Sequence, residues 1–124
     1  MPRRILVVDD DPDVQQVLRR FLGEDDYEVS TVDDGDSAMR RLQREPPDLV
    51  LLDLDMPGLN GLEVLRRISV AGIDVAVIVL SGHSDEKAFE LAIELGAKSY
   101  LRKPIDFKML EATIDRYLGQ DEEG

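Results

Sequence analysis

Three consecutive aspartates, Asp9 to Asp11, stand directly behind the apolar run Ile5 to Val8, and two more, Asp53 and Asp55, fall in "LVLLDLDMPG" behind a second apolar run. Carboxylates a few ångströms apart in a partly desolvated cleft repel one another, and protonation or a bound cation relieves the repulsion. Oxygen ligands that leave room for waters suit a hard divalent ion, Mg²⁺ or Mn²⁺. Two further groups follow later apolar segments: the hydroxyl of Ser81 in "VIVLSGHSD" and the ammonium of Lys103 in "SYLRKPID". A carboxylate nucleophile, a hard-metal site, a hydroxyl donor and an ammonium are the parts of a phosphoryl-transfer site. Each has a plainer reading alone, since an aspartate caps a helix and a loop serine or lysine is ordinary surface. Their joint occurrence behind successive apolar runs carries the inference.

The elements that must position these groups are legible in the hydrophobic pattern. Apolar runs rich in β-branched residues at Ile5 to Val8, Val29 to Val32, Leu49 to Leu54, Val75 to Leu80 and Tyr100 to Leu101 predict five strands. Helical spacing appears between and after them, at Val14, Val17, Leu18, Phe21 and Leu22; Ala38, Met39 and Leu42; Leu62, Leu65 and Ile68; Ala88, Leu91, Ala92 and Leu95; and Met109, Leu110, Thr113, Ile114 and Tyr117. Pro12 suits a first helical turn, Gly23 and Gly96 suit helix ends, and Asp11 and Asp106 suit caps. Strict alternation of strand and helix predicts a doubly wound α/β sandwich with a parallel sheet, because parallel strands need crossover connections. Ligands of such folds sit at the carboxyl ends of the strands, where the strand order reverses. Asp9, Asp10, Asp53, Ser81 and Lys103 all fall at that edge.

Length and composition set the outer bounds. A chain of 124 residues suits one domain with a real core. A net charge of −12 disfavours binding to nucleic acid or an anionic membrane surface. The run Val75 to Leu80 is far too short to cross a bilayer, and the N-terminus "MPRRILVVDD" reaches aspartate before any signal-peptide core, so a cytoplasmic location is expected. Without cysteine there is no disulfide, thiolate metal site or cysteine nucleophile.

Taken together, these residues resemble the receiver domain of bacterial two-component response regulators. The resemblance runs from Arg4 to Leu118 and rests on an acidic pair after strand 1, an aspartate followed by Met-Pro and a glycine after strand 3, a Ser or Thr after strand 4, and Lys-Pro after strand 5. It implies a (βα)5 flavodoxin-like sandwich of strand order 2-1-3-4-5 in a single domain, residues 119–124 being an acidic tail or the start of a linker. It also implies that Asp53 accepts a phosphoryl group, that Asp9 and Asp10 hold Mg²⁺ (or Mn²⁺) with Asp53 and the backbone carbonyl of Asp55, and that Ser81 and Lys103 bind phosphoryl oxygens. Tyr100 matches the family's aromatic switch position. The partners implied are a sensor histidine kinase or histidine phosphotransfer protein, and a phosphorylation-dependent homodimer or output partner. The expected role is signalling, not turnover catalysis.

The sequence departs from the pattern at Ser81, where threonine is more frequent, and at Gly82, where alanine is more frequent. Both changes keep the hydroxyl and loosen the loop. His83 reads as an exposed loop residue near the site mouth. A haloacid-dehalogenase-type phosphohydrolase shares the Asp-x-Asp of "LLDLDMP", but here the motif lies on the third strand and no segment remains for a cap. A flavin or nucleotide carrier would need glycine and hydroxyl residues where "DDDPD" stands.

Overall fold

The computed structural model describes residues 2–24, 27–56, 60–82 and 86–118. Along them run β1 (Arg4–Val8), α1 (Pro12–Gly23), β2 (Glu28–Val32), α2 (Gly35–Arg44), β3 (Leu49–Asp53), α3 (Gly61–Ala71), β4 (Ala76–Ser81), α4 (Glu86–Glu94), β5 (Ser99–Arg102) and α5 (Phe107–Leu118). The strands form one parallel sheet of order β2-β1-β3-β4-β5. From β1 the chain steps outward to β2, then crosses back to β3 on the other side of β1. The strand order therefore reverses between β1 and β3, which opens a crevice at their carboxyl ends.

The strand alternation explains the two layers of helices. Leu6, Val8, Val50, Leu52, Val77 and Val79 point to one face and pack against Leu42 of α2, Leu65 of α3 and Ala92 of α4. Ile5, Val7, Leu49, Leu51, Ile78 and Leu80 point to the other and pack against Leu18 and Leu22 of α1 and Leu110 and Ile114 of α5. All of β3 is buried, as a central strand covered on both faces requires. Each large side chain enclosed this way contributes about 1.5–3 kcal/mol of transfer free energy. No helix among the described residues is long and apolar enough to cross a membrane.

Local chemistry fixes where helices start and stop. Pro12 occupies the first turn of α1 behind its cap Asp11, whose carboxylate accepts from the Asp13 amide. Asp34 accepts from Ser37 N–H at 2.7 Å, Asn60 from Glu63 N–H at 3.0 Å and Asp106 from Met109 N–H at 3.1 Å. Gly96 follows α4 with φ +109°, a conformation that side chains with a Cβ rarely adopt. The helical patterns hold less well at three positions: Val17 of α1, Leu91 of α4 and Met109 of α5 are exposed. Phe89 and Ile93, outside the predicted stripe, share that exposure. At the strand ends, Ser81 closes β4 instead of following it, and β3 stops at Asp53, one residue before the predicted Leu54.

One glycine sets the distance between α3 and the sheet. A Cβ at Gly61 would lie 2.5 Å from the Asp53 carbonyl oxygen and 2.7 Å from Leu54 Cα, backbone atoms that cannot swing aside. The first turn of α3 thus rests directly on the end of β3. Gly61→Ala should lower the unfolding free energy by about 1–3 kcal/mol, since overpacking strain exceeds the helix-propensity gain of alanine. Urea titration measures this, and an unchanged or increased stability would show that α3 can retreat without cost.

Candidate functional site

The carboxyl edge of the sheet gathers the predicted groups from the ends of four strands, β1, β3, β4 and β5. Asp9 follows β1 and Asp53 ends β3, and their exposures are 1% and 2%, so both carboxylates are almost wholly removed from solvent. Asp10, the next residue after Asp9, is exposed. One carboxylate oxygen from each of Asp9, Asp10 and Asp53 lies within 4.8 Å of the others. Asp11 stands outside this cluster as the cap of α1. The triple aspartate is thus split between a cleft and a helix end.

Hydrogen bonds hold the two buried carboxylates in place. Asp9 Oδ1 accepts from the Asp11 amide at 2.9 Å, and Asp53 Oδ1 accepts from the Asp55 amide at 3.0 Å. Lys103 reaches in from the end of β5 and places Nζ 3.0 Å from Asp9 Oδ2 and 3.5 Å from Asp53 Oδ1. Its backbone is anchored as well, because Lys103 N–H donates to the Ser81 carbonyl at 2.8 Å. The Lys103–Pro104 peptide bond is cis. Ser81, 1% exposed, brings its hydroxyl to the same edge on β4.

The electrostatics follow from burial and proximity. Desolvation is the main reason that the Asp53 carboxyl is raised above its ordinary 3.8; the Asp9 charge adds to it, while the Asp55 amide and Lys103 oppose it. For Lys103, desolvation works against the charge, but the hydrogen bond to Asp9 and the charges of Asp53 and Asp9 prevail, so its pKa is raised above 10.5. The ammonium stays charged and offsets a repulsion between two buried carboxylates.

Asp55 and Tyr100 take positions beside this cluster. The Asp55 side chain is exposed, and its Oδ2 accepts from Gly82 N–H at 3.4 Å, which links the loops after β3 and β4. Tyr100 lies on β5 with its ring edge-on to Phe89 of α4 at 5.4 Å. Its hydroxyl is buried with no hydrogen-bond partner among the described residues. A Cβ at Gly82 would meet nothing within 4 Å, so the glycine there is not demanded by space. His83 lies outside the described residues, as do residues 119–124.

Two residues at the site escaped the reading of the sequence. Gly61 is defined by a backbone approach that leaves no periodicity signal. Gln15, on the first turns of α1, donates its side-chain amide to the Asp9 carbonyl and to Asp33. Its only signal was a polar residue on the inner side of a helix, next to Val14.

A doubly wound sheet with clustered carboxylates, a hydroxyl and an ammonium at its carboxyl edge defines a class of α/β protein with a polar site at the crevice where the strand order reverses. The comparison with known proteins narrows the class: the response regulator receiver domain family matches residues 5–115, and the chain belongs to that family. It is 37% identical over 123 residues to the DNA-binding response regulator MtrA of Mycolicibacterium smegmatis, an alignment covering 99% of this chain and 54% of MtrA. It is 30% identical over 118 residues to sporulation initiation phosphotransferase F of Bacillus subtilis, covering 95% of each. The BeF3-activated receiver domain of Klebsiella pneumoniae RstA superposes with a TM-score of 0.87 at 32% identity, over 94% of this chain and 99% of that one. The chain spans about half the length of the MtrA and MprA relatives it matches.

The raised Asp53 pKa has a sign that stability measurements can read. Below 3.8 Asp53 is protonated folded or unfolded; above it the unfolded chain ionises first, so stability falls as pH rises until the folded group also ionises. Asp53→Asn should therefore be more stable than the parent at pH 7 in metal-free buffer, with the difference closing toward pH 3. Urea midpoints across that range test it; a difference independent of pH would mean that burial of Asp53 carries no such cost.

Proposed function

We propose that Asp53 is the phosphoacceptor of this receiver domain and that Asp9, Asp10, Ser81 and Lys103 are its working partners. The observation that carries the reading is the clustering of three carboxylates at the ends of β1 and β3, two of which, Asp9 and Asp53, also meet the Lys103 ammonium from the end of β5. The donor set is all oxygen with one exposed member, which fits a hard divalent ion that keeps several waters. Asp9, Asp10 and Asp53 would hold Mg²⁺, with the Asp55 backbone carbonyl; when bound, the ion offsets negative charge on a transferring phosphoryl group.

The chain's own residues then account for the transfer. An Asp53 carboxylate oxygen forms the new O–P bond in line as the P–N bond of a phosphohistidine donor breaks. The Asp55 amide orients the Asp53 carboxylate before attack. Lys103, already between Asp9 and Asp53, moves to a phosphoryl oxygen, and the Ser81 hydroxyl donates to another. The donor is a sensor histidine kinase or a histidine phosphotransfer protein, and the domain promotes its own phosphorylation and dephosphorylation without acting on a separate substrate.

Output follows from Ser81 and Tyr100. Drawing the Ser81 hydroxyl toward the phosphoryl group changes the end of β4, and the Tyr100 ring, whose hydroxyl has no partner among the described residues, takes a new place against α4. The face formed by α4, β5 and α5, with Phe89, Ile93 and Met109 exposed, is the surface that responds. It would serve a homodimer or an output partner. One hydrogen bond to a charged group is worth about 1.5–3 kcal/mol, whereas inverting a two-state equilibrium from 1:99 to 99:1 takes about 5.5 kcal/mol. Ser81 alone cannot drive the switch, so the Lys103 pairing and the partner supply the rest.

Incubation with acetyl phosphate and Mg²⁺, followed by mass spectrometry, should show one phosphoryl adduct on the parent and none on Asp53→Asn. An adduct that persists in Asp53→Asn would place the acceptor elsewhere. Ser81→Ala and Tyr100→Ala should each keep phosphorylation and weaken association through the α4, β5 and α5 face. A double-mutant cycle on phosphorylated protein should find the two effects coupled by about 0.5 kcal/mol or more, and strict additivity would separate them.

A further inference from the structure

We infer that Gln15 is a positioning residue for the acidic cleft: its side-chain amide fixes the turn that presents Asp9 and Asp10, and ties that turn to the end of β2. The inference rests on the site reading given above. It begins with a gap in the sheet. The Asp9 amide donates to the Val32 carbonyl, extending the pairing in which Val8 faces Val32. Continued parallel pairing would bring the Asp34 amide onto the Asp9 carbonyl. Asp34 instead leaves the ladder to cap α2.

Gln15 fills the vacated position. Its Nε2 donates to the Asp9 carbonyl and, at 2.7 Å, to Asp33 Oδ1, with the Val32 carbonyl at 3.3 Å. An amide nitrogen has two hydrogens, so the two shorter contacts use both. Three acceptors around one nitrogen also fix which end of the amide faces inward. The Gln15 backbone is rigid in turn, because its N–H donates to the Asp11 carbonyl in the first turn of α1.

The consequence reaches the carboxylates through the main chain. The Asp9 side chain is held by Asp11 N–H and Lys103, but neither bond fixes the plane of the peptide that leads into Asp10. Gln15 does, through the carbonyl of that peptide. A buried carbonyl that lost its donor would have to turn to find another. Such a turn would move Asp9 and Asp10 relative to Asp53, and metal affinity depends on that separation. The same amide holds Asp33 next to the α2 cap, so the cleft is braced against β2 as well as β3.

The test measures Mg²⁺ affinity by NMR titration, alongside thermal unfolding, for the parent, Gln15→Met, Gln15→Arg and Asp33→Ala. Gln15→Met keeps the length and loses the donors; it should weaken Mg²⁺ about tenfold, the low end of what loss of an orienting partner costs. Gln15→Arg restores donors and should recover most of that loss, which a role confined to packing would not produce. Asp33→Ala, at an exposed position, loosens the clamp from its far end and should give a smaller loss in the same direction, a check that survives if Gln15→Met folds poorly. Unchanged affinity in Gln15→Met, or a loss that Gln15→Arg does not recover, overturns the inference. Failure of the parent itself to shift at Asp9, Asp10 and Asp53 with Mg²⁺ would instead overturn the site reading on which it rests.

Discussion

Two buried carboxylates share one ammonium at the carboxyl edge of this sheet, and the fold is organised around keeping them there. Asp9 and Asp53 sit at the ends of adjacent strands, almost without solvent, with Lys103 3.0 and 3.5 Å away. Removing the shared Lys103 ammonium would strand both carboxylates, and breaking a buried charge pair in this way typically costs about 3–5 kcal/mol. Three strands must therefore end in register, and the parallel sheet supplies that register. The arrangement is also poised: a dication and a dianionic group can enter only by redistributing the contacts that now satisfy the carboxylates and the lysine.

Support for the cluster comes from the backbone more than from other side chains. Amides of Asp11 and Asp55 fix the carboxylates, the Ser81 carbonyl fixes the Lys103 main chain, and α3 abuts β3 through Gly61. Loops built this way keep donors aimed at a site without filling it. The β5 side differs. Tyr100 carries a buried hydroxyl without a partner among the described residues, and the helices flanking β5 expose Phe89, Ile93 and Met109. The rigid half of the edge suits chemistry, and the less satisfied half suits a change of surface.

Much of this was legible in the sequence because buried parallel strands leave a blunt signal. Leu49 to Leu52 and Val75 to Leu80 are apolar without interruption, as a central strand covered on both faces requires, and the groups behind such runs must collect at one edge. The caps Asp11 and Asp106 were legible for a local reason, a side chain bonded to an amide two or three residues on. The exposure of Leu91 and Met109 was not, because helical periodicity finds an apolar stripe without saying whether anything covers it. Gly61 and Gln15 were invisible for a different reason. Each is defined by the main chain of a distant strand end, Asp53 in one case and Asp9 in the other, and no spacing within a helix encodes that approach.

The account is tested most directly by a crystal structure of the chain with Mg²⁺ and beryllofluoride, a phosphoryl mimic that attaches to a carboxylate. The adduct should sit on Asp53, with the ion against Asp9 and Asp10 and with Lys103 Nζ and the Ser81 hydroxyl turned from their present positions to its fluorines. An adduct on another residue, or an ion that leaves Asp9 and Asp10 untouched while Lys103 keeps its contact with Asp9, would contradict it.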